Sequence, residues 1–416
     1  MKSFFLIITV LLCVYSCNRA KSDGDGSVSV NNGVFTVSLN KIKSDVKIIP
    51  LSSLVESLEL VQLECHEDAF FRSFEMTTVY ERYIGVRPTL HDNFKLFDRS
   101  GNFLTTVGRR GPGPGEYTNS IGYAIIDEKN ELIYLAVHPN KILVYNTSGQ
   151  FVKEFFTPQM MFSPRMFLSD DILTVAHIPT VFLVGRQNHP EMNNSGSIMF
   201  QFDVNTGELL KELATPAEHF VLRGSGFGGG VVHSNQNIPG LFDFMPRLFT
   251  QEQYDTLYHI DLKKNKFLPI FTLDYNFTTP QDKPSFIQLN KNLIMTQTVK
   301  IHGTPTPHGT FSVERCLIAT DLTTKTSSRV KIINDFFGGL DALPDNFLPN
   351  HFRRGYYVRS IQPEDLMEDI KDRLADRNIS ENDRQILNRT LSTLREGTNN
   401  VVFIGKLKNE IKLNLN

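Results

Sequence analysis

Ten residues, Gly108-Arg109-Arg110-Gly111-Pro112-Gly113-Pro114-Gly115-Glu116-Tyr117, hold four glycines and two prolines directly after the strand-like Asn102–Val107. Glycine admits positive φ, and proline fixes φ and removes a donor, so this stretch is neither helix nor central strand. It must be a shaped connector that turns the chain. Before it, Phe94-Lys95-Leu96-Phe97-Asp98-Arg99-Ser100-Gly101 reads as a strand entering a tight turn. The unit is therefore strand, Asp-x-x-Gly turn, strand, rigid loop, next strand.

Weaker copies of that hairpin recur. Their polar anchors are Asp98, Asn146, Asp203, Asp261 and Asp321, separated by 48, 57, 58 and 60 residues. Each follows an alternating apolar run and precedes another strand: Phe103–Val107, Phe151–Phe155, Glu208–Leu213, Phe267–Leu273 and Ser328–Ile333. Two further strand-like runs usually lie upstream, as with Ile121–Asp127 and Glu131–Val137. Four strands at a period near 50 predict the blades of a β-propeller. Five hairpins leave two unmatched strands, Ser57–Glu64 near the start and Asn400–Lys408 near the end. Pairing them completes a sixth blade, with Phe352–Ile361 as another of its strands, and closes the ring without an open edge. Pro363–Gly397 breaks the pattern. Leu366, Ile370 and Leu374, then Ile386, Leu387, Leu391 and Leu394, have helical spacing, with Ser380 as an N-cap and Gly397 as a stop. The expectation is a pair of amphipathic helices inserted in the last blade, as a cap on the ring or an arm for a partner.

The first residues are an address. Lys2 precedes a 12-residue apolar run, Phe4–Tyr15, too short to cross a bilayer as a helix, and Val14-Tyr15-Ser16-Cys17 resembles a bacterial lipobox. Residues 1–16 then form a signal peptide, Cys17 carries lipid, and residues 17–44 are a flexible tether and lead-in to a propeller spanning 45–416. The tether reading rests on the polar stretch Asn18–Asn32. Of the remaining cysteines, Cys65 and Cys316 are read as two buried thiols more readily than as a disulfide. The net charge of −2 argues against a nucleic-acid footprint.

The lipobox, the Gly108–Tyr117 loop and the hairpins together resemble the six-bladed, NHL-like β-propeller lipoproteins of Bacteroidetes. The likeness is densest at 94–117 and extends over roughly 45–416. It implies an all-β propeller and a lipoprotein of the outer membrane, facing periplasm or cell surface; a monomer held by its membrane anchor, with an envelope protein or glycan as partner, is the expectation that goes with it. It transfers no catalytic residues and no cofactor.

Chemistry-bearing motifs are few. The loop residues Gly108, Arg109, Gly111, Gly113, Gly115, Glu116 and Tyr117 are read as a blade connector, Glu116 pairing an arginine and Tyr117 packing beneath. Gly111 or Gly113 is expected to need a conformation that alanine resists. The functional alternative is an anion cradle of backbone donors beside Arg109 and Arg110. A second cluster, Gly224–Gly230, reads as a flexible loop or a lip over the channel. His138, His177, His233 and His302 fall near inner strands of successive units and are candidates to face the channel, although no spacing forces them together. Their convergence would favour a metal-assisted lyase or glycan hydrolase at the channel mouth. Without it, the expectation is a binding or scaffold propeller at the cell envelope, with no catalysis.

Overall fold

The structure, a computed structural model, describes residues 24–71, 76–87, 93–178, 197–214, 230–248, 256–275, 284–303, 311–344 and 348–415. Six antiparallel blades follow one another round a ring. Blade 1 runs through Met76–Val79, Tyr83–Arg87, Phe94–Asp98 and Phe103–Val107. Blade 2 spans 121–156, blade 3 162–214, blade 4 230–274 and blade 5 285–334, each with four strands in chain order. Blade 6 is assembled from both halves of the chain: Phe352–Arg353, Tyr356–Ile361, Val401–Lys406 and, outermost, Glu59–Gln62. Val401 pairs with Gln62 and Ile404 with Glu59 in the predicted antiparallel closure.

The repeat has a local cause. At every anchor the side-chain oxygen accepts backbone N–H groups two residues on and further: Asp98 from Ser100 and Asn102, Asn146 from Ser148 and Gln150, Asp203 from Asn205 and Thr206, Asp261 from Lys263 and Lys264, Asp321 from Thr323 and Thr324. These are Asx turns, which satisfy turn donors that no strand partner reaches. In the first three, a glycine with positive φ (Gly101, Gly149, Gly207) completes the turn and lies against the outer strand of the preceding blade.

Packing follows the ring. The buried apolar residues form six clusters, one at each blade junction. The largest, between blades 5 and 6, takes in Leu366, Met367 and Ile370 of the helix Pro363–Ala375 and Leu387 of the helix Glu381–Thr393. The two helices leave blade 6 between its second and third strands and pack as a cap. Ser380 caps the second helix, its Oγ accepting from Asp383 N at 3.1 Å. Arg359, almost wholly buried, holds Asp369 of the first helix at 2.6 Å. Gly397 has positive φ but lies beyond Leu394, where the helix already ends.

Three differences from the expected layout have clear physical reasons. Strand pairing begins inside the polar stretch read as tether. Val28–Asn31 and Val34–Ser38 form a hairpin whose second strand runs parallel to Phe271–Asp274, extending blade 4. Its turn is Asn32-Gly33, both with positive φ, the geometry two-residue hairpins require. Val46–Pro50 likewise pairs in parallel with Arg329–Ile333 of blade 5. Phe352–Ile361 is a hairpin and not one strand, because Arg354 and Gly355 take φ of 51° and 78°. Finally, Cys65 and Cys316 are unpaired, and neither is fully buried: Cys65 is exposed and Cys316 half-buried. Burial pushes the Cys316 thiol up.

Candidate functional site at the ring mouth

In an antiparallel blade the first–second and third–fourth connections share one end. At that end the first turns of all six blades surround a cavity of about 1160 Å³. Blade 1 contributes Tyr80 and Glu81, blade 2 Glu128, blade 3 Ser169, blade 4 Gln236–Gly240, blade 5 Leu289–Asn292, and blade 6 Arg354–Tyr356. The segment Lys406–Lys412 completes the wall.

The floor is a polar run, Ser234-Asn235-Gln236-Asn237, all buried. It is the turn after the inner strand Gly230–His233, and it reaches past blade 5 to blade 6. The Asn235 amide donates to Pro349 O at 3.0 Å and Phe352 O at 2.6 Å. Asn237 donates to Gln288 O and accepts from Gly355 N, and Arg354 N donates to Asn235 O. Asp243 anchors the run, its carboxylate accepting from Ser234 Oγ and from the backbone of Asn235 and Gln236. Burial nevertheless pushes its pKa up. Blades 4 and 6 are not ring neighbours, so these bonds bridge the channel under the mouth and turn its end into a cup.

Four arginines act on one another or on shared tyrosines along the channel, from Arg354 at the mouth to Arg87 at the far end of blade 1. Arg87 ends the second strand of blade 1 and donates to Ile121 O and Gly122 O. Arg165 lies on the inner strand of blade 3, its guanidinium carbon 5.0 Å from the centre of the Tyr123 ring. Arg353 and Arg354 open the blade 6 turn, the latter 4.9 Å over the Tyr80 ring. Loss of hydration pushes the Arg165 guanidinium down to about 10. Arg353 is lowered too, first by burial and then by the like charges of Arg87 and Arg354.

The candidates read from sequence lie elsewhere. The loop Gly108–Tyr117 joins blade 1 to blade 2 at the opposite end of the ring. Four of its donors are engaged within the loop or beside it: Gly111 N to Tyr117 O, Gly113 N to Glu116 Oε2, Arg109 Nε to Glu116 Oε1 at 2.8 Å, and Arg110 to Thr118 O. The Gly113 N–H and the Arg109 guanidinium hold the Glu116 carboxyl below its usual range. Tyr117 is buried and donates to Asn93. Positive φ falls at Gly108 (79°) and Gly115 (68°), not at Gly111 or Gly113. Gly111 is constrained instead by space, since a Cβ there would overlap the Glu116 carboxylate. Counting glycines in the loop does not show which one carries the turn.

His177 is fully buried on blade 3, stacked 5.2 Å from Phe200. His138 follows the second strand of blade 2, its ring 6.2 Å from Phe162, and burial lowers its pKa. His233 ends the inner strand of blade 4, buried. His302 belongs to Leu293–Gly303, but its side chain lies outside the described residues, as do Gly224–Gly229. Among the described residues no three His, Cys, Asp or Glu side chains are grouped to hold a metal ion.

Residues 34–406 match a family profile described as a domain of unknown function, DUF4934. No curated protein matches. Among solved structures, a Bacteroides fragilis protein named as a candidate exported protein aligns with a TM-score of 0.52 at 14% identity, over 88% of this chain and 100% of that one. A DUF4221 member from Bacteroides vulgatus aligns with a TM-score of 0.48 at 12% identity, over 86% and 98%. The first likeness is one of fold. Among the described residues no helix is long and apolar enough to cross a membrane.

Proposed function

The chain belongs to the DUF4934 family, and we propose that it is a lipid-anchored propeller of the bacterial outer membrane that binds a protein or glycan in the cup at the ring mouth. One observation carries this reading: turns from all six blades close on a single polar-floored cavity of about 1160 Å³. That volume takes a ligand of several residues or sugar units. The Cys17 lipobox and the polar segment after it support the address.

The test uses the full chain in detergent against arrays of oligosaccharides and peptides. Ser169→Trp and Asn292→Trp, at exposed positions of the mouth on blades 3 and 5, are expected to abolish retention of the captured ligand. Asn119→Trp, at the far end of the ring, should leave retention unchanged. Loss of binding in Asn119→Trp with retention in the two mouth variants would overturn the assignment. A ligand recovered with altered mass would favour an enzyme over a binder.

A further inference from the structure

We propose that the guanidinium cluster under the mouth, centred on Arg353 and Arg354, binds an oxyanion carried by the ligand, an inference that rests on the mouth being a binding site. Arg353 is 9% exposed. Its Nε donates to Pro349 O at 3.1 Å and its Nη2 to Asn350 Oδ1 at 3.2 Å, while Nη1 is buried and has no partner among the described residues. The adjacent Arg354 also buries an Nη2 without a partner among them. A buried guanidinium donor left unmatched is costly, and here two occur on consecutive residues.

The surrounding groups make the cost larger. Arg87, Arg165, Arg353 and Arg354 lie close enough to act on one another or on shared tyrosines, and Asp243 is the carboxylate acting among them. Asp243 has committed its oxygens to the Ser234–Gln236 turn. The rim carries Glu56, Glu81, Glu128 and Glu410, and of these Glu128 accepts from Glu81 N and Arg82 N at 3.2 and 2.7 Å. Among the described residues, Arg165 and Arg353 thus have one engaged carboxylate, Asp243, near them in a poorly hydrated pocket, with Arg354 beside Arg353. Such a set is neutralised best by an added anion, and the planar guanidinium fork matches the two oxygens of a carboxylate, sulfate or phosphate. Of the four, Arg354 lines the mouth together with Tyr80, so a ligand in the cup meets the cluster at Arg354.

The experiment follows melting and heats of binding of the full chain in detergent as sodium sulfate, sodium phosphate or sodium glucuronate is added, with sodium chloride at matched ionic strength as reference. Saturable stabilisation beyond chloride is expected, weakened about tenfold or more in Arg354→Gln. Arg353→Lys keeps the charge, loses the fork and is expected to bind with intermediate affinity; it guards against a folding defect in the glutamine variant. Tighter binding of glucuronate identifies a sugar carboxylate as the source of the anion, and tighter binding of phosphate a phosphoryl group. If none of the three exceeds chloride, or if Arg354→Gln binds like wild type, the oxyanion site is overturned. The mouth itself is judged separately, by the tryptophan variants on neutral members of the arrays.

Discussion

His177 shows how one residue can carry a pH response without belonging to a site. Its Nδ1 lies 2.9 Å from Ile178 O and its Nε2 accepts from the Gln159 amide at 3.4 Å, a pattern that fits the neutral ring. Burial brings its pKa down to about 4, from an ordinary 6.5. The folded value lies below the unfolded one, so between these limits the unfolded chain binds more protons and stability rises with pH. The contribution is complete above about pH 6.5 and is lost as pH falls towards 4, on the order of 3 kcal/mol in all. His177→Gln is expected to flatten the fall in melting temperature between pH 6.5 and 4. An unchanged slope would show that other groups control acid sensitivity. The sequence placed His177 near an inner strand but could not show that its ring stacks on Phe200, because that contact is made across two strands. The channel arginines were hidden for a related reason. Arg87, Arg165 and Arg353 are far apart in the chain, and three separate blades bring them together. By contrast, the Asx anchors were legible because their chemistry is contained within a few residues of backbone.

At the scale of elements, the decisive strand is Val401–Lys406. It lies between Tyr356–Ile361 and Glu59–Gln62, pairing with both, and it buries Val402, Phe403 and Ile404 against the neighbouring blades. Removing 400–416 would strip blade 6 of its third strand, leave the N-terminal strand without a partner, and open two apolar edges. The truncated chain is expected to aggregate. The milder Phe403→Ala, at a fully buried position, should cost about 3–5 kcal/mol and remain soluble. A truncation that stays monomeric and melts cooperatively would mean that the ring holds without this closure. The closure was readable because two strands were left over at opposite ends of a repeat count. The Val28–Ser38 hairpin was missed although Asn32-Gly33, flanked by alternating apolar residues, is a strong hairpin signal. Its polar composition masked a pattern carried by only a few valines and one phenylalanine. Phe352–Ile361 was misread for the converse reason, since an apolar run concealed the Arg354-Gly355 turn.

For the whole molecule, a lipid on Cys17 would set an orientation. After residue 24 the chain runs along the outer edges of blades 4, 5 and 6 in turn, through Val34–Ser38, Val46–Pro50 and Glu59–Gln62. It enters at the third turn of blade 5, where Asp25 accepts from Ser327 N at 3.4 Å and Gly24 lies against Lys325. That turn joins the third and fourth strands, so it sits at the same end of the blade as Leu289–Asn292 and therefore at the mouth end of the ring. With Cys17 lipidated, the seven residues to Gly24 reach at most about 25 Å. Such an anchor would hold the mouth towards the bilayer and the Gly108–Tyr117 loop away from it. Two measurements check this arrangement. Fatty-acid labelling should mark the wild type and not Cys17→Ser. In vesicles, a fluorophore on Asn409→Cys, in a background with Cys65 and Cys316 replaced by serine, should transfer energy to headgroup acceptors more efficiently than one on Asn119→Cys. Equal or reversed transfer would mean that the cup opens away from the membrane, and equal labelling of the Cys17 variant would remove the anchor on which the orientation depends. If the expected order holds, the ligand must be one that reaches within a few nanometres of the lipid surface, and an oxyanion-bearing ligand must approach the arginines from that side.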